Sequence, residues 1–148
     1  MRIVRFYRVT GAFGEFSNFA PYPILLDGDR WPTSEHYFQA QKFLDRTYRR
    51  LIRAAKSPMI AARLGRSRAQ PLRPDWEGVK LEVMLRAVGA KFSQHKKLGS
   101  LLLSTGDATI VEHTENDSYW GDGGDGSGSN MLGLILMRVR EELRTRSP

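Results

Sequence analysis

A chain of 148 residues, 41% of them hydrophobic, holds enough material for one ordinary domain with a core of its own and no need of a covalent staple. It has no cysteine, which removes disulfide frameworks, thiolate zinc sites and thiol nucleophiles together. The net charge of +7 points to an anionic partner, and no apolar run approaches the roughly 18 residues needed to cross a bilayer.

Met1 to Arg5 lacks the apolar stretch of a signal peptide, so the expectation is a cytoplasmic protein. Charge is segregated along the chain. From Arg46 to Arg73 there are nine Lys or Arg and no acid, whereas from Asp107 to Met137 there are six acids and no Lys or Arg. A uniformly basic surface would suit nonspecific duplex binding. A basic segment paired with an acidic, glycine-rich one suits a cleft for a phosphate-bearing small molecule.

Residues 2 to 9 mix arginine with β-prone residues and predict an edge strand. In Phe13-Gly14-Glu15-Phe16-Ser17-Asn18-Phe19 the aromatics recur at every third position, which fits neither strand nor helix and predicts an ordered loop. Residues 23 to 31 predict a hairpin turning at Asp27-Gly28. A helix starting at Thr33 or Ser34 follows, and Tyr37, Phe38, Ala40, Gln41, Phe43 and Leu44 leave it no single apolar stripe, so it should be packed on most sides. A second helix is expected from Thr47 to Lys56, and a third, capped by Ser57 with Pro58 at its first position, as far as Leu64. Pro71 and Pro74 bracket a linker. A long helix is expected from Asp75 to about Ser93, with Val79, Val83, Val88 and Phe92 on one face and Leu81 and Leu85 flanking it. A short helix ending near Gly106, a strand over residues 108 to 113 and a loop over 114 to 129 come next. A final helix is capped by Asn130, with Arg138, Arg140 and Arg144 in its last turns. The pattern is α+β, a mainly helical single domain over residues 1–148 with a small β-sheet.

The chemistry concentrates in Trp31 to Phe43, where an acid, a histidine, two glutamines and a lysine lie among aromatics. Glu35 falls in the first helical turn, and Gln39 and Lys42 follow at four- and three-residue spacings that place them near it. Gly121-Asp122-Gly123-Gly124-Asp125-Gly126 satisfies the dinucleotide pattern G-x-G-x-x-G, but only 18 residues follow Asn130, too few for a βαβ unit. Calcium-loop spacing is also missing. What that loop retains is a backbone able to approach a ligand at a helix start that favours anions. His36 and His113 lack metal-site spacing, and no Gly-x-Ser-x-Gly occurs. Glu35, Lys80, Asp117 and Asp122 remain as acid, base or amine.

The segments Glu15 to Phe19, Trp31 to Phe43, Trp76-Glu77-Gly78-Val79-Lys80, Ala90-Lys91-Phe92, Trp120-Gly121-Asp122-Gly123 and Asn130-Met131-Leu132-Gly133 together resemble the NADAR superfamily, most closely its YbiA-like riboflavin-intermediate N-glycosidases. The likeness runs from about Phe13 to Leu143 in the family's order. It implies an enzyme that cleaves the bond between ribose C1 and an exocyclic amine in phosphorylated ribosylaminopyrimidines. A related branch acts on ADP-ribose joined to guanine, which admits nucleic acid as a partner. A non-catalytic ADP-ribose or nucleotide-binding module is a further alternative. By position, Glu35 resembles the family's central acid, Lys80 its amine in the long helix, Trp76 and Trp120 its ring-packing residues, and Phe16, Asn18 and Asp122 positions near the ligand. Relatives commonly carry basic residues where this chain has Ser129 and Leu134. Phosphate binding is therefore expected from Arg63, Arg66 or Arg68.

These residues fit the chemistry. A departing amine leaves an oxocarbenium-like sugar, which a carboxylate stabilises while a proton goes to the nitrogen. A ribosylamine also opens to an imine, into which a desolvated lysine exchanges before water releases the sugar. Neither route requires a metal or organic cofactor.

Overall fold

Residues 2–146 are described by a computed structural model. Among them run β1 (Ile3–Phe6), a 3-10 turn (Gly14–Phe16), β2 (Ile24–Leu26), β3 (Asp29–Trp31), α1 (Ser34–Ala40), α2 (Arg46–Arg53), α3 (Pro58–Arg66), α4 (Trp76–Gln94), α5 (Lys96–Ser104), β4 (Thr109–Glu112) and α6 (Met131–Arg146). The architecture is α+β and mainly helical, as the sequence predicts. In place of one small sheet there are two sheets of two strands. The hairpin pairs only with itself, and β1 finds its partner in β4, over a hundred residues away.

The chain condenses into two compact units, one built from the residues up to Ala20 and from Phe92 onward, the other from Pro21–Lys91. No change of composition marks either edge, and the second edge falls inside α4, so the sequence shows no boundary there.

In the first unit β1 and β4 run parallel, with Val4 opposite Ile110 and Phe6 opposite Glu112. Val4, Phe6 and Ile110 point inward, and α6 packs on β4 and on α5. The aromatic segment expected as a loop forms a 3-10 turn, with Phe13 in the left-handed region (φ 53°). The tight turn brings the Phe13 and Phe16 rings together, 5.4 Å apart. Arg140, expected in the last turns of the final helix, is buried. Its guanidinium donates to Thr105 Oγ1 at 2.8 Å and Ala108 O at 2.9 Å, the partners that a buried charge requires.

In the second unit Asp27 and Gly28 both take positive φ (56° and 82°), the signature of the two-residue turn that matches strand twist. Thr33, Asp45 and Ser57 accept bonds from the N–H groups of His36, Tyr48 and Ile60, so α1, α2 and α3 are each capped by a side chain, an arrangement worth about 1 kcal/mol per helix. Every residue of α1 is buried, as its scattered aromatics imply, and the helix packs on α2 and α3. Tyr37 donates to Asp27 Oδ2 at 2.7 Å, and Arg86 on α4 donates to the other oxygen, which locks the hairpin to two helices. Some ends differ from expectation. Asp45 rather than Thr47 opens α2, which stops at Arg53 short of Lys56, and α3 continues through Gly65 to Arg66, since glycine in an ordinary helical conformation need not stop a helix.

Candidate active site

The buried polar cluster of the second unit begins at Thr33. Its hydroxyl caps His36 N at 3.2 Å and lies 2.8 Å from His36 Nδ1. His36 Nε2 is 3.0 Å from the carbonyl oxygen of Ala55, which only accepts, so Nε2 carries the proton and Nδ1 receives the Thr33 hydroxyl. Burial depresses the His36 pKa below 6.5 and keeps the ring neutral. Its ring nitrogens are thus occupied in fixing the start of α1.

That fixed start carries Glu35, 9% exposed, and one turn later Gln39, 6% exposed. Gln39 Nε2 donates to Glu35 Oε2 at 2.7 Å, which holds the carboxylate in one orientation. Beyond the helix end stands Lys42. Its Nζ lies 5.7 Å from the centroid of Phe38, and the Phe38 ring meets Trp76 edge-on at 5.2 Å. Desolvation lowers the Lys42 pKa to about 8, the Glu35 charge opposing that shift while Arg68 and Arg66 add to it. Glu35, Lys42, Arg66 and Arg68 therefore share one electrostatic neighbourhood: a carboxylate, an amine close to neutrality and two permanent cations.

Lys80 sits one turn after Trp76 on α4. Its side chain is 18% exposed, and its Nζ meets Glu77 Oε1 at 2.7 Å. Trp76, 5% exposed, is enclosed chiefly as a packing residue with its edge on Phe38. Arg63 is exposed on α3 and is not among the groups acting on Lys42. Two lysines therefore stand as candidate amines: Lys42, which sequence spacing groups with Glu35, and Lys80, which the family resemblance implies.

The other expected residues belong to the first unit. Phe16 is 1% exposed, its ring enclosed by Phe6, Phe13 and Phe92, a core position where a ligand contact was expected. Asn18 is buried. Trp120 is half-buried and meets Tyr119 edge-on at 4.9 Å. Asp122 uses both carboxylate oxygens within its own loop: Oδ1 accepts from Thr114 N at 3.0 Å and Gly124 N at 2.8 Å, and Oδ2 lies 2.7 Å from His113 Nδ1. Those bonds outweigh burial and hold its pKa below 3.8.

The start of α6, a place that favours anions, has its first N–H groups already engaged. Asn130, Met131 and Leu132 donate their N–H groups to the carbonyls of Gly121, Tyr119 and Trp120, so the loop itself occupies the donors a phosphate would need. Asn130 does not cap the helix with its side chain. It adopts φ 52°, and its amide accepts from Glu112 N at 3.0 Å and donates to Ile110 O at 2.9 Å, completing the free edge of β4. Among the described residues no cluster of three His, Asp or Glu is placed to hold a metal ion, and no helix is long and apolar enough to cross a membrane. A shallow groove lined by Asp45, Thr47, Tyr48, Arg50, Leu51 and Gln70 contains none of the expected site residues.

Residues 5–144 match the family model of the NADAR domain. The chain is 60% identical over 141 residues to the N-glycosidase YbiA of Escherichia coli strain K12, covering 95% of this chain and 88% of that protein. It is 45% identical over 145 residues to riboflavin biosynthesis protein VVA0006 of Vibrio vulnificus, covering 98% of this chain and 40% of that longer protein. The fold is similar to the NMR structure of the Escherichia coli protein YbiA, with a TM-score of 0.91 at 59% identity over 97% of this chain and 86% of that one.

Proposed function

The chain belongs to the NADAR family, and from that premise we propose that it is an N-glycosidase hydrolysing the bond between ribose C1 and the exocyclic amine of phosphorylated ribosylaminopyrimidine intermediates of riboflavin biosynthesis, with release of ribose 5-phosphate. The names of its relatives support the class of reaction: one is an N-glycosidase, and another is assigned to riboflavin biosynthesis. The observation that carries the reading is the Glu35 carboxylate, held by Gln39 and set beside an amine of pKa about 8.

In this reading Glu35 faces C1. As the C1–N bond breaks, its electron pair leaves with the nitrogen, which takes a proton from a lysine ammonium, and the cationic sugar carbon develops against the carboxylate. Water adds at C1, and its proton passes to Glu35 or solvent. In the imine variant the lysine attacks C1 of the opened sugar, the aminopyrimidine departs, and water then releases the sugar from the lysine. Lys80 is the amine implied by the family resemblance, and Lys42 is the one whose surroundings suit it. Arg66 and Arg68, with Arg63 farther along α3, would take the 5-phosphate. Trp76, edge-on to Phe38, would pack the heterocycle. No cofactor enters the scheme.

The test is incubation with freshly prepared ribosylaminopyrimidine phosphate and, separately, with ADP-ribosylated guanosine, following the free bases. Release of the aminopyrimidine supports the proposal. Release of guanine alone would assign the chain to the ADP-ribose branch, and binding without release to a nucleotide-binding module. Borohydride added during turnover, followed by peptide mapping, separates the chemical routes: an adduct on Lys80 or Lys42 identifies the imine-forming amine, and a turning-over enzyme without an adduct excludes the imine.

A further inference from the structure

We propose that Gly65 and Gln39 are positioning residues for the hydrolysis, the bare backbone at Gly65 seating the Gln39 amide so that it holds the Glu35 carboxylate in its working orientation. This rests on the catalytic role of Glu35 argued above. Three observations converge on it. Gln39 Nε2 donates to Glu35 Oε2 at 2.7 Å in a buried setting. The other end of the same amide, Oε1, is fully buried and without a hydrogen-bond partner, an arrangement that costs stability and calls for a reason. And a Cβ at Gly65 would stand 1.9 Å from that Oε1, 2.7 Å from Gln39 Cδ and 3.0 Å from Gln39 Cβ.

The chemistry removes the alternatives. Turning the amide over would satisfy nothing at Gly65 and would point an acceptor at a carboxylate, so the charge on Glu35 fixes which end faces it. Gly65 is helical and is not among the residues with positive φ, so the backbone does not demand glycine, and alanine is the better helix former at such a place. What glycine supplies is room: the hydrogen standing where Cβ would be points at Oε1, a weak contact that tolerates the unpaired oxygen. Packing of α3 on α1 is thereby transmitted through one amide to one carboxylate.

The severe part of the clash in Gly65→Ala falls on the end of a side chain and the 3.0 Å approach to Gln39 Cβ asks for a shift of a few tenths of an ångström, so that variant should fold with Gln39 displaced. Four proteins test the idea: wild type, Gln39→Ala, Gly65→Ala and the double variant, each assayed with ribosylaminopyrimidine phosphate across pH. Either single change should lower kcat by about tenfold, leave KM within about twofold, and move the acid limb of the kcat profile to higher pH, because a carboxylate that loses a donor holds its proton more tightly. Since Gly65 acts through Gln39, the double variant should be no worse than Gln39→Ala. The proposal is overturned if Gly65→Ala costs as much in the Gln39→Ala background as in wild type, or if the acid limb stays in place. The side-chain amide resonances of Gln39, read by NMR without any turnover, should move in both Gly65→Ala and Glu35→Gln. Resonances unmoved by Gly65→Ala refute the seating even where Glu35→Gln is inactive. Normal turnover by Glu35→Gln refutes the catalytic reading, and with it the positioning role, while the amide still reports the contact.

Discussion

Two helix starts in this molecule look alike in sequence and behave in opposite ways. Each has a polar cap candidate and an acid within a few positions of it. At α1, Thr33 and His36 satisfy the backbone and each other, and Glu35 has the Gln39 amide and the charge of Lys42 for partners. At α6 the loop folds back, its carbonyls take the first N–H groups of the helix, and Asp122 spends both oxygens on its own loop. The first arrangement holds its acid through a side-chain amide beside a lysine. The second spends an acid on holding a glycine-rich loop in shape.

The sharpest way to break this contrast is to remove each acid in turn. Glu35→Gln should keep its fold, as seen by circular dichroism and urea midpoint, while turnover falls by at least about 100-fold, the lower range for a positioned acid or base. A folded variant with normal turnover would place Glu35 among structural residues. Asp122→Ala should do the reverse. It strands the N–H groups of Thr114 and Gly124, so the free energy of unfolding should drop by about 2 kcal/mol, measured in urea. Turnover per folded molecule should change less than in Glu35→Gln. If Asp122→Ala abolishes turnover without loss of stability, Asp122 meets substrate after all.

Lysine reactivity sharpens the α1 side. With its pKa lowered to about 8, Lys42 should be acylated several-fold faster than the surface lysines at pH 8, read by peptide mapping. Equal labelling would remove it from the list of candidate amines.

The smallest expected effect is a difference in pH window. The folded pKa of His36 is depressed below 6.5, so its contribution to stability is complete above 6.5 and is withdrawn as pH falls from there through the folded value. That of Asp122 is depressed below 3.8, so its contribution is complete above 3.8 and is lost only as pH falls through a lower value. Amide exchange should therefore show α1 losing protection as the pH falls below about 6.5, while β4 and the loop after it hold until the pH falls below about 4. A slope for α1 that persists in His36→Gln would assign the effect elsewhere.

Much of the fold was legible because it is written in local chemistry. Ser57 followed by Pro58 and the Asp27-Gly28 turn each act within a few residues, and each forms as predicted. The polar group at the start of α1 was legible for the same reason, since its members lie one turn apart on one short helix. What the sequence by itself determined is therefore most of the elements, the caps of α1 and α3, and the cluster of Glu35, Gln39 and Lys42. Only the tertiary structure decided where Phe16, Arg140 and Asn130 spend their side chains, that Asp122 is saturated, that the donors of α6 are already used, and that Gly65 is a seat rather than a stop. Each of these depends on which distant segment arrives. A side chain's partners across the fold carry no trace in its neighbours along the chain, and burial turns the same carboxylate or amide into a reagent or a rivet according to what packs against it.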